Sequence, residues 1–365
     1  MDRMIEAPAV RDESRRHSAV VRGRRRAPLL LPALVVLLAV AMLLNAGIGA
    51  VRIAPPQVIA ILLDHAGIGI DVSVTPQQDA VLWNIRLPRI LLAALVGGAL
   101  ALAGAVLQGV FRNPLADPSL IGVSSGAAVG AVAAIVAGFT LFGLASLPVA
   151  AFTGGMLAML AVYAFARQDG RTEVVTLILA GIAINAIAGA ATGIFFFLAD
   201  DTQLRTIVFW TLGSLGGATW RSVWAVLPFI GAGMLVLPFW GRQLNLLVLG
   251  EREARHLGVN TESMRFLLVA LAALIAGASV AVAGVIGFVG LVVPHIIRLI
   301  AGPDHRLLLP ASTLAGAVLL LLADLAARTL VLPRELPLGV VTALAGGPFF
   351  LWLLHRTRRE HGGWG

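Results

Sequence analysis

From Leu29 to Leu354 the chain is a succession of apolar runs, separated by short polar or glycine- and proline-bearing stretches. The runs approach or exceed about 18 residues, and a helix of that length crosses the ~30 Å hydrocarbon core of a bilayer. Inside lipid every backbone polar group must be satisfied within the chain, which leaves helices or a closed barrel. Barrel strands read as short segments of alternating polarity. These runs are continuous, so the chain is predicted to be an all-α membrane protein. Charged residues make up 13% of it, against about 25% in soluble domains.

Ten spans fit the pattern, at about 29–50, 86–110, 121–138, 147–166, 174–199, 220–240, 264–285, 286–302, 307–330 and 338–355. A short amphipathic stretch at 203–217 is read as re-entrant or interfacial, and a polar segment at 241–263 follows span six. The chain thus divides into a basic tail (1–28), a transmembrane domain (29–355) and a second tail (356–365). The first run is longer than a signal-peptide core and has no small-residue cleavage site, so it is expected to remain as a helix.

An even number of spans places both termini on one side, and charge says which. All the basic residues are arginine, eight of them between Arg3 and Arg26. With the termini inside, Arg112, Arg167, Arg171, Arg242, Arg252, Arg255, Arg265, Arg298, Arg306, Arg356, Arg358 and Arg359 join them. Only Arg52, Arg86, Arg89, Arg205, Arg221, Arg328 and Arg334 fall outside. That bias has the sign of cytoplasmic termini, and it explains the net charge of +8 without a nucleic-acid partner. Trp220, Trp224 and Trp240 bracket span six as an aromatic belt would.

Two absences narrow the chemistry. Without cysteine, thiolate metal sites, covalent haem and disulfides are excluded. Without lysine there is no Walker A loop, so any ATP that drives this chain binds a partner. The histidines show no close i, i+4 pair, and no metal-ligating cluster stands out. His295, at a helix break beside Pro294, reads as a hydrogen-bonded structural residue, and Asp324 as the partner of Arg328 four residues on. Small-residue spacings such as Gly97, Gly98, Gly104 and Gly109 suit close helix contact in lipid. A faint repeat at an offset of 180 relates Ala101, Ala103, Gly104, Pro114 and Gly122 to Ala281, Ala283, Gly284, Pro294 and Gly302.

Three segments invite a mechanistic reading. Arg86 and Arg89 open span two on the arginine-poor side, where they contact headgroups or dock the carboxylates of an external partner. Pro114 and Pro118 forbid a continuous helix between Gln108 and Gly122. Asn113 and Leu115 there belong either to an ordinary turn or to the narrow inner end of a pathway. In the stretch Leu246–Gly258, Gly250 and Gly258 bound a short helix in which Glu251 and Arg255 are spaced to pair. Leu249, Ala254 and Leu257 would face another protein, unless this is only a solvated loop helix.

Together "RLPR", "RNPLADPSLIGVSSGAA", "LGEREARHLGV", "GVIGFVGLVVPHIIRLIAGPDHRLLLP" and "LPLGVVTALAGGPFFLWLL" resemble the FecCD family. These are permease subunits of type II ABC importers for iron siderophores, haem and cobalamin. The resemblance runs in order from about Val81 to Leu354 and is greatest to haem permeases. It implies a homodimer of ten-helix subunits, two cytoplasmic ATPase subunits that bind ATP and magnesium, and a periplasmic binding protein. It implies no cofactor on this chain. Carried over by position, the docking arginines fall on Arg86, Arg89 and Arg328, and a cytoplasmic gate on Asn113 and Leu115. The ATPase-coupling stretch falls on Gly250, Glu251, Arg252, Ala254, Arg255, Leu257 and Gly258. A second gate, usually a small hydroxyl pair, falls on Glu173 and Val174, a departure from the family pattern. The expectation is an ATP-driven importer of an iron chelate, haem first, with a ferric siderophore or cobalamin as alternatives. A secondary transporter driven by an ion gradient is the rival reading. It needs carboxylates at mid-membrane on several spans, and the spans hold almost none besides Asp324.

Overall fold

The computed structural model describes residues 29–168 and 171–360. The readings of the basic tail 1–28 and of residues 361–365 lie outside the described residues. Among these the fold is all-α apart from one two-residue hairpin, Arg167–Gln168 paired antiparallel with Arg171–Thr172. Seven helices are long and apolar enough to cross a bilayer, and three more are apolar but shorter. Together they account for the ten predicted spans.

The first span is α1 (Leu29–Gly47). After it come α2 (Pro55–His65), α3 (Pro76–Val81) and α4 (Leu87–Val110), the last two joined by a π-helical turn at Leu82–Arg86. Span two is therefore longer than the sequence suggested, one helical stretch from Pro76 to Val110. Pro88 supplies no N–H and its ring crowds the preceding turn, which the wider π turn accommodates. Next are α5 (Val123–Val136), α6 (Ser146–Ala166), α7 (Val174–Leu198) and the short α8 (Asp201–Thr211). The carboxylate of Asp200 caps α8, accepting from the N–H groups of Thr202 at 2.9 Å and Gln203 at 2.8 Å.

Span six also overruns its predicted end. α9 (Trp220–Val236), a 3-10 turn and α10 (Gly241–Val248) form one helical stretch. Of the polar segment 241–263, only α11 (Glu251–His256) stands apart. Completing the chain are α12 (Thr261–Ala283), α13 (Val289–Ala301), α14 (His305–Thr329) and α15 (Leu338–Glu360).

α4 is the axis of the bundle, packed on α9, α12, α13 and α14. Such proximity requires glycine. A methyl group on Gly104 would overlap the carbonyl oxygen of Gly290 on α13, and one on Gly97 that of Gly316 on α14. α1 and α7 are the least covered of the long spans, with 22% and 17% of their apolar windows buried. Their free faces suit lipid or another chain.

The bundle has two distinct ends. At one, Arg86 opens onto the C-terminus of α1, Trp220 of α9 donates its indole N–H to the Trp83 carbonyl at 2.9 Å, and α15 begins. At the other lie the end of α4, the hairpin, and α11. The start of α1 and the end of α15 share this second end, as an even span count requires. The repeat at an offset of 180 does not superpose on the fold. Gly104 lies within α4 whereas Gly284 caps α12, and Pro114 lies in a loop whereas Pro294 is inside α13.

Candidate functional site

At the Arg86 end, three arginines and two carboxylates form one cluster. Arg89 is bridged twice. Its Nε and Nη2 donate to Asp324 at 3.0 and 2.9 Å, and its Nη1 and Nη2 donate to Glu335 at 3.0 and 2.9 Å. Asp324 is buried while Glu335 is partly exposed. The Asp324–Arg328 pair read from sequence is the weaker contact, 3.8 Å from Nε of Arg328. Arg89 displaces it because α4 and α14 cross here in close contact.

Arg86 and Arg328 have another task. Arg86 donates to the carbonyls of Ala46 and Val51. Arg328 donates to the carbonyls of Ile48 and Asn45 at 2.9 and 2.8 Å. The last carbonyls of a helix lack partners and carry its negative dipole end, so two guanidiniums cap α1. Beside them opens a cavity of about 1110 Å³ lined by Gly49, Arg52, Ile85, Arg86, Arg89 and Arg328. The three arginines named from the sequence are thus brought to one place, each already engaged within the chain.

The proline-broken segment folds back into the bundle. Asn113 accepts from the Leu115 N–H at 2.9 Å, a local turn that leaves the Leu115 side chain exposed. Arg112 takes φ +48° to make the bend. Asp117 caps the 3-10 turn Pro118–Ile121 by accepting from the Ser119 N–H at 2.9 Å. Burial pushes the Asp117 carboxyl above its ordinary range, against the hydrogen bonds from Ser119. α7 clasps this segment: Asn185 donates to the Ser119 carbonyl at 3.0 Å and accepts from Ser125 Oγ at 2.5 Å. Gly181 of α7 sits so close to the Leu120 carbonyl that a methyl there would overlap it.

At the far end Gly250 (φ +127°) and Gly258 (φ +85°) flank α11, in left-handed conformations that glycine adopts without cost. Glu251 accepts from Arg255 at 3.4 Å across one turn. Leu249 and Leu257 are exposed, but Ala254 is fully buried. The expected contact of Ala254 with another protein is therefore corrected, since it packs the short helix onto its own chain. Glu173 and Val174 lie together at the N-terminus of α7, Glu173 as N-cap residue. The Thr176 hydroxyl donates to Glu173 at 3.3 Å.

Sequence reasoning passed over a network that joins these parts. Arg265, in the second turn of α12 and 2% exposed, pairs with Glu251 and with Glu262 and donates to the Thr172 carbonyl. Glu262 accepts from the Thr172 N–H at 3.2 Å, the Thr172 hydroxyl at 2.5 Å and the Tyr163 hydroxyl at 3.3 Å. The available signal was an arginine three residues after a glutamate at the start of an otherwise apolar helix. His295 also departs from expectation. Among the described residues neither ring nitrogen has a hydrogen-bond partner, and the ring lies 6.2 and 6.3 Å from those of Phe349 and Phe350. α13 packs against α15 there, and apolar rings fill the space a polar partner would need.

Comparison with known proteins fits this arrangement. Residues 37–356 match the FecCD transport family. The chain is 49% identical over 301 residues to the hemin transport system permease protein HmuU of Yersinia pestis, covering 79% of this chain and 88% of that one. It is 48% identical over 278 residues to the cobalamin import system permease protein BtuC of Halobacterium salinarum, covering 76% and 73%. A solved structure described as an inward-facing metal-chelate type ABC transporter superposes with a TM-score of 0.80 at 34% identity, over 90% of this chain and 99% of that one.

Proposed function

Because the chain belongs to the FecCD transport family, permease subunits of metal-chelate and B12-type ABC importers, we propose that its cargo is haem. It moves haem from periplasm to cytoplasm across the inner membrane by alternating access. The observation that carries the cargo assignment is the 49% identity to a hemin permease, sustained over 301 residues. A relative named for cobalamin is nearly as similar, so cobalamin is the second reading and a ferric siderophore the third.

In this reading two copies form the pathway, with their sparsely covered α7 faces near its axis. A periplasmic binding protein docks at Arg86, Arg89 and Arg328. Its carboxylates compete for Arg89 with Glu335, the more exposed of that arginine's two partners. Asn113 and Leu115 form the first cytoplasmic gate, Glu173 and Val174 the second. Two ATPase subunits bind ATP with magnesium and press on α11, whose exposed Leu249 and Leu257 flank the helix. ATP shifts the gates only in so far as it binds one arrangement more tightly than the other.

The deciding experiment is ATP-dependent uptake in proteoliposomes holding the chain, its ATPase partner and the binding protein. Haem, a ferric hydroxamate and cobalamin are offered in parallel. Haem uptake alone supports the proposal. Cobalamin or siderophore uptake replaces the cargo assignment, and uptake without ATP that stops when the ion gradient collapses overturns the ATP-driven mechanism.

A further inference from the structure

We infer that Glu251, Arg265 and Thr172 form a buried relay that couples the ATPase-facing helix α11 to both gate segments. The inference rests on the assignments of α11 and of the gates made above, and it adds the residues that connect them.

The geometry is built from the first turns of α12. Asn260 caps that helix, its side chain accepting from the Ser263 N–H at 3.1 Å. This fixes the direction in which Glu262 and Arg265 leave the helix. Arg265 is 2% exposed, and a guanidinium so placed cannot be left without carboxylate partners. It takes Glu251 from α11 on one side and the Thr172 carbonyl from the hairpin on the other. Glu262 takes the N–H and hydroxyl of the same threonine. The N–H, the carbonyl and the hydroxyl of Thr172 are therefore all held by α12, one residue before Glu173 and two before Val174.

What lies beyond Thr172 makes this a relay rather than only a staple. α7 begins at Val174 and has few buried residues along its length. Besides its packing along α5 and α6, α7 is attached at its first turn and at the stretch that meets the proline-broken segment. There Gly181 abuts Leu120, and Asn185 holds Ser119 and Ser125. The Asn113–Leu115 turn lies in the same segment, a few residues before Ser119 and Leu120. A displacement of α11 therefore pulls Arg265, which carries Thr172 and the second gate, and α7 carries the first gate with it. On the solvent side of α11, Arg255 shares Glu251 with Arg265 and donates to the Thr261 hydroxyl at 3.0 Å. The short helix is thus bound to α12 by charge as well as by Ala254.

The absence of cysteine permits a direct test. Val174→Cys is introduced, and the chain is assembled with its ATPase partner in lipid. The rate of modification at position 174 by a membrane-impermeant maleimide is then compared with and without ATP. The parent background should show a change of at least threefold on adding ATP. Glu251→Gln and Arg265→Met should each reduce that change to below 1.5-fold while the ATPase still co-purifies. Arg265→Lys, which keeps a charge in place, should restore part of it. Because Arg265→Met risks misfolding, Glu251→Gln, at a half-exposed position, decides the matter if the former does not assemble. A full ATP response in Glu251→Gln overturns the relay and leaves the gate and coupling assignments standing. No ATP response in the parent background overturns the gate assignment at Val174 and the relay with it.

Discussion

The buried pair between Arg89 and Asp324 allows a quantitative test of how the Arg86 end is held. Asp324→Asn leaves the guanidiniums of Arg86, Arg89 and Arg328 with Glu335 as their one remaining carboxylate partner among the described residues. Breaking a buried ion pair from one side costs about 3–5 kcal/mol, because the other charge stays buried. Glu335 remains on Arg89, but its side chain is 45% exposed and such a contact recovers at most about 1 kcal/mol. The expected loss is about 3 kcal/mol, a fall of roughly 5 °C in melting temperature for a chain of this size. Arg89→Met should cost a similar amount, since Arg328 at 3.8 Å is a poor substitute partner for Asp324. The double variant Arg89→Met with Asp324→Asn removes both charges, so it should melt no lower than the worse single variant. The coupling energy should then be about 3 kcal/mol. The assay is thermal melting of the purified chain in detergent for all four members of the cycle. Losses that add to within about 0.5 kcal/mol would refute the claim that these two residues neutralise each other.

The remaining expectations follow from single contacts. Gly104→Ala forces α4 away from the Gly290 carbonyl and should cost about 1–3 kcal/mol, seen as a lower melting temperature. Gly189→Ala, where nothing lies within 4 Å, should not lower it. Arg86→Gln strips the Ala46 and Val51 carbonyls of a charged donor, a loss of about 1.5–3 kcal/mol for each charge-assisted bond. Trypsin should then cleave faster after Arg52 in the adjoining loop, and an unchanged cleavage rate would remove the capping role. Asp117 has a folded-state pKa above its unfolded value of 3.8. Its contribution to stability is therefore complete below that value and lost as pH rises through the folded-state pKa. Asp117→Asn should weaken the decline of melting temperature with rising pH, and parallel profiles for the two chains would contradict the burial argument.

The spans were legible because lipid imposes one requirement on every residue of a helix, and apolar length reports it directly. Their ends were less so. Trp240 and the following Gly241 look like a terminus, yet the helix continues to Val248 because α10 packs on α14: the backbone N–H of His305 donates to Asn245 Oδ1 at 2.9 Å, and the His305 ring Nδ1 lies 2.8 Å from the same oxygen. The segments named from sequence as gate and coupling helix do fall near one end of the bundle. Their connection through Arg265 was hidden, since Thr172 and Glu251 are distant in sequence and neither is unusual alone. Arg86 and Arg328 show the opposite limit. Their sequence position suggested outward-facing cations, and only the fold reveals the α1 carbonyls they serve. Replacing both Arg86 and Arg89 by Glu would therefore be a poor probe of the proposed docking, because it also removes one of the two guanidiniums that cap α1. Glu335, which shares Arg89 from the exposed side, is a cleaner position at which to test the proposed docking.

The same pairings bear on what drives transport. A carrier coupled to protons or sodium needs a carboxylate that can exchange its partner ion during the cycle. In the ten apolar helices the carboxylates are Asp79, Glu262 and Asp324. Asp79 faces His65 at 2.9 Å, in the first turn of α3 and ahead of the π-helical turn. Glu262 accepts from Thr172, Tyr163 and Arg265. Asp324 is held by Arg89 and lies near Arg328. Each carboxylate is thus committed to a partner within the chain, and an ion would have to break a buried pair to reach Glu262 or Asp324. The free energy for opening and closing the pathway must then enter from outside the spans. Among the described residues α11 is suited to receive it, presenting exposed Leu249 and Leu257 at one surface while Glu251 reaches the buried Arg265 at the other.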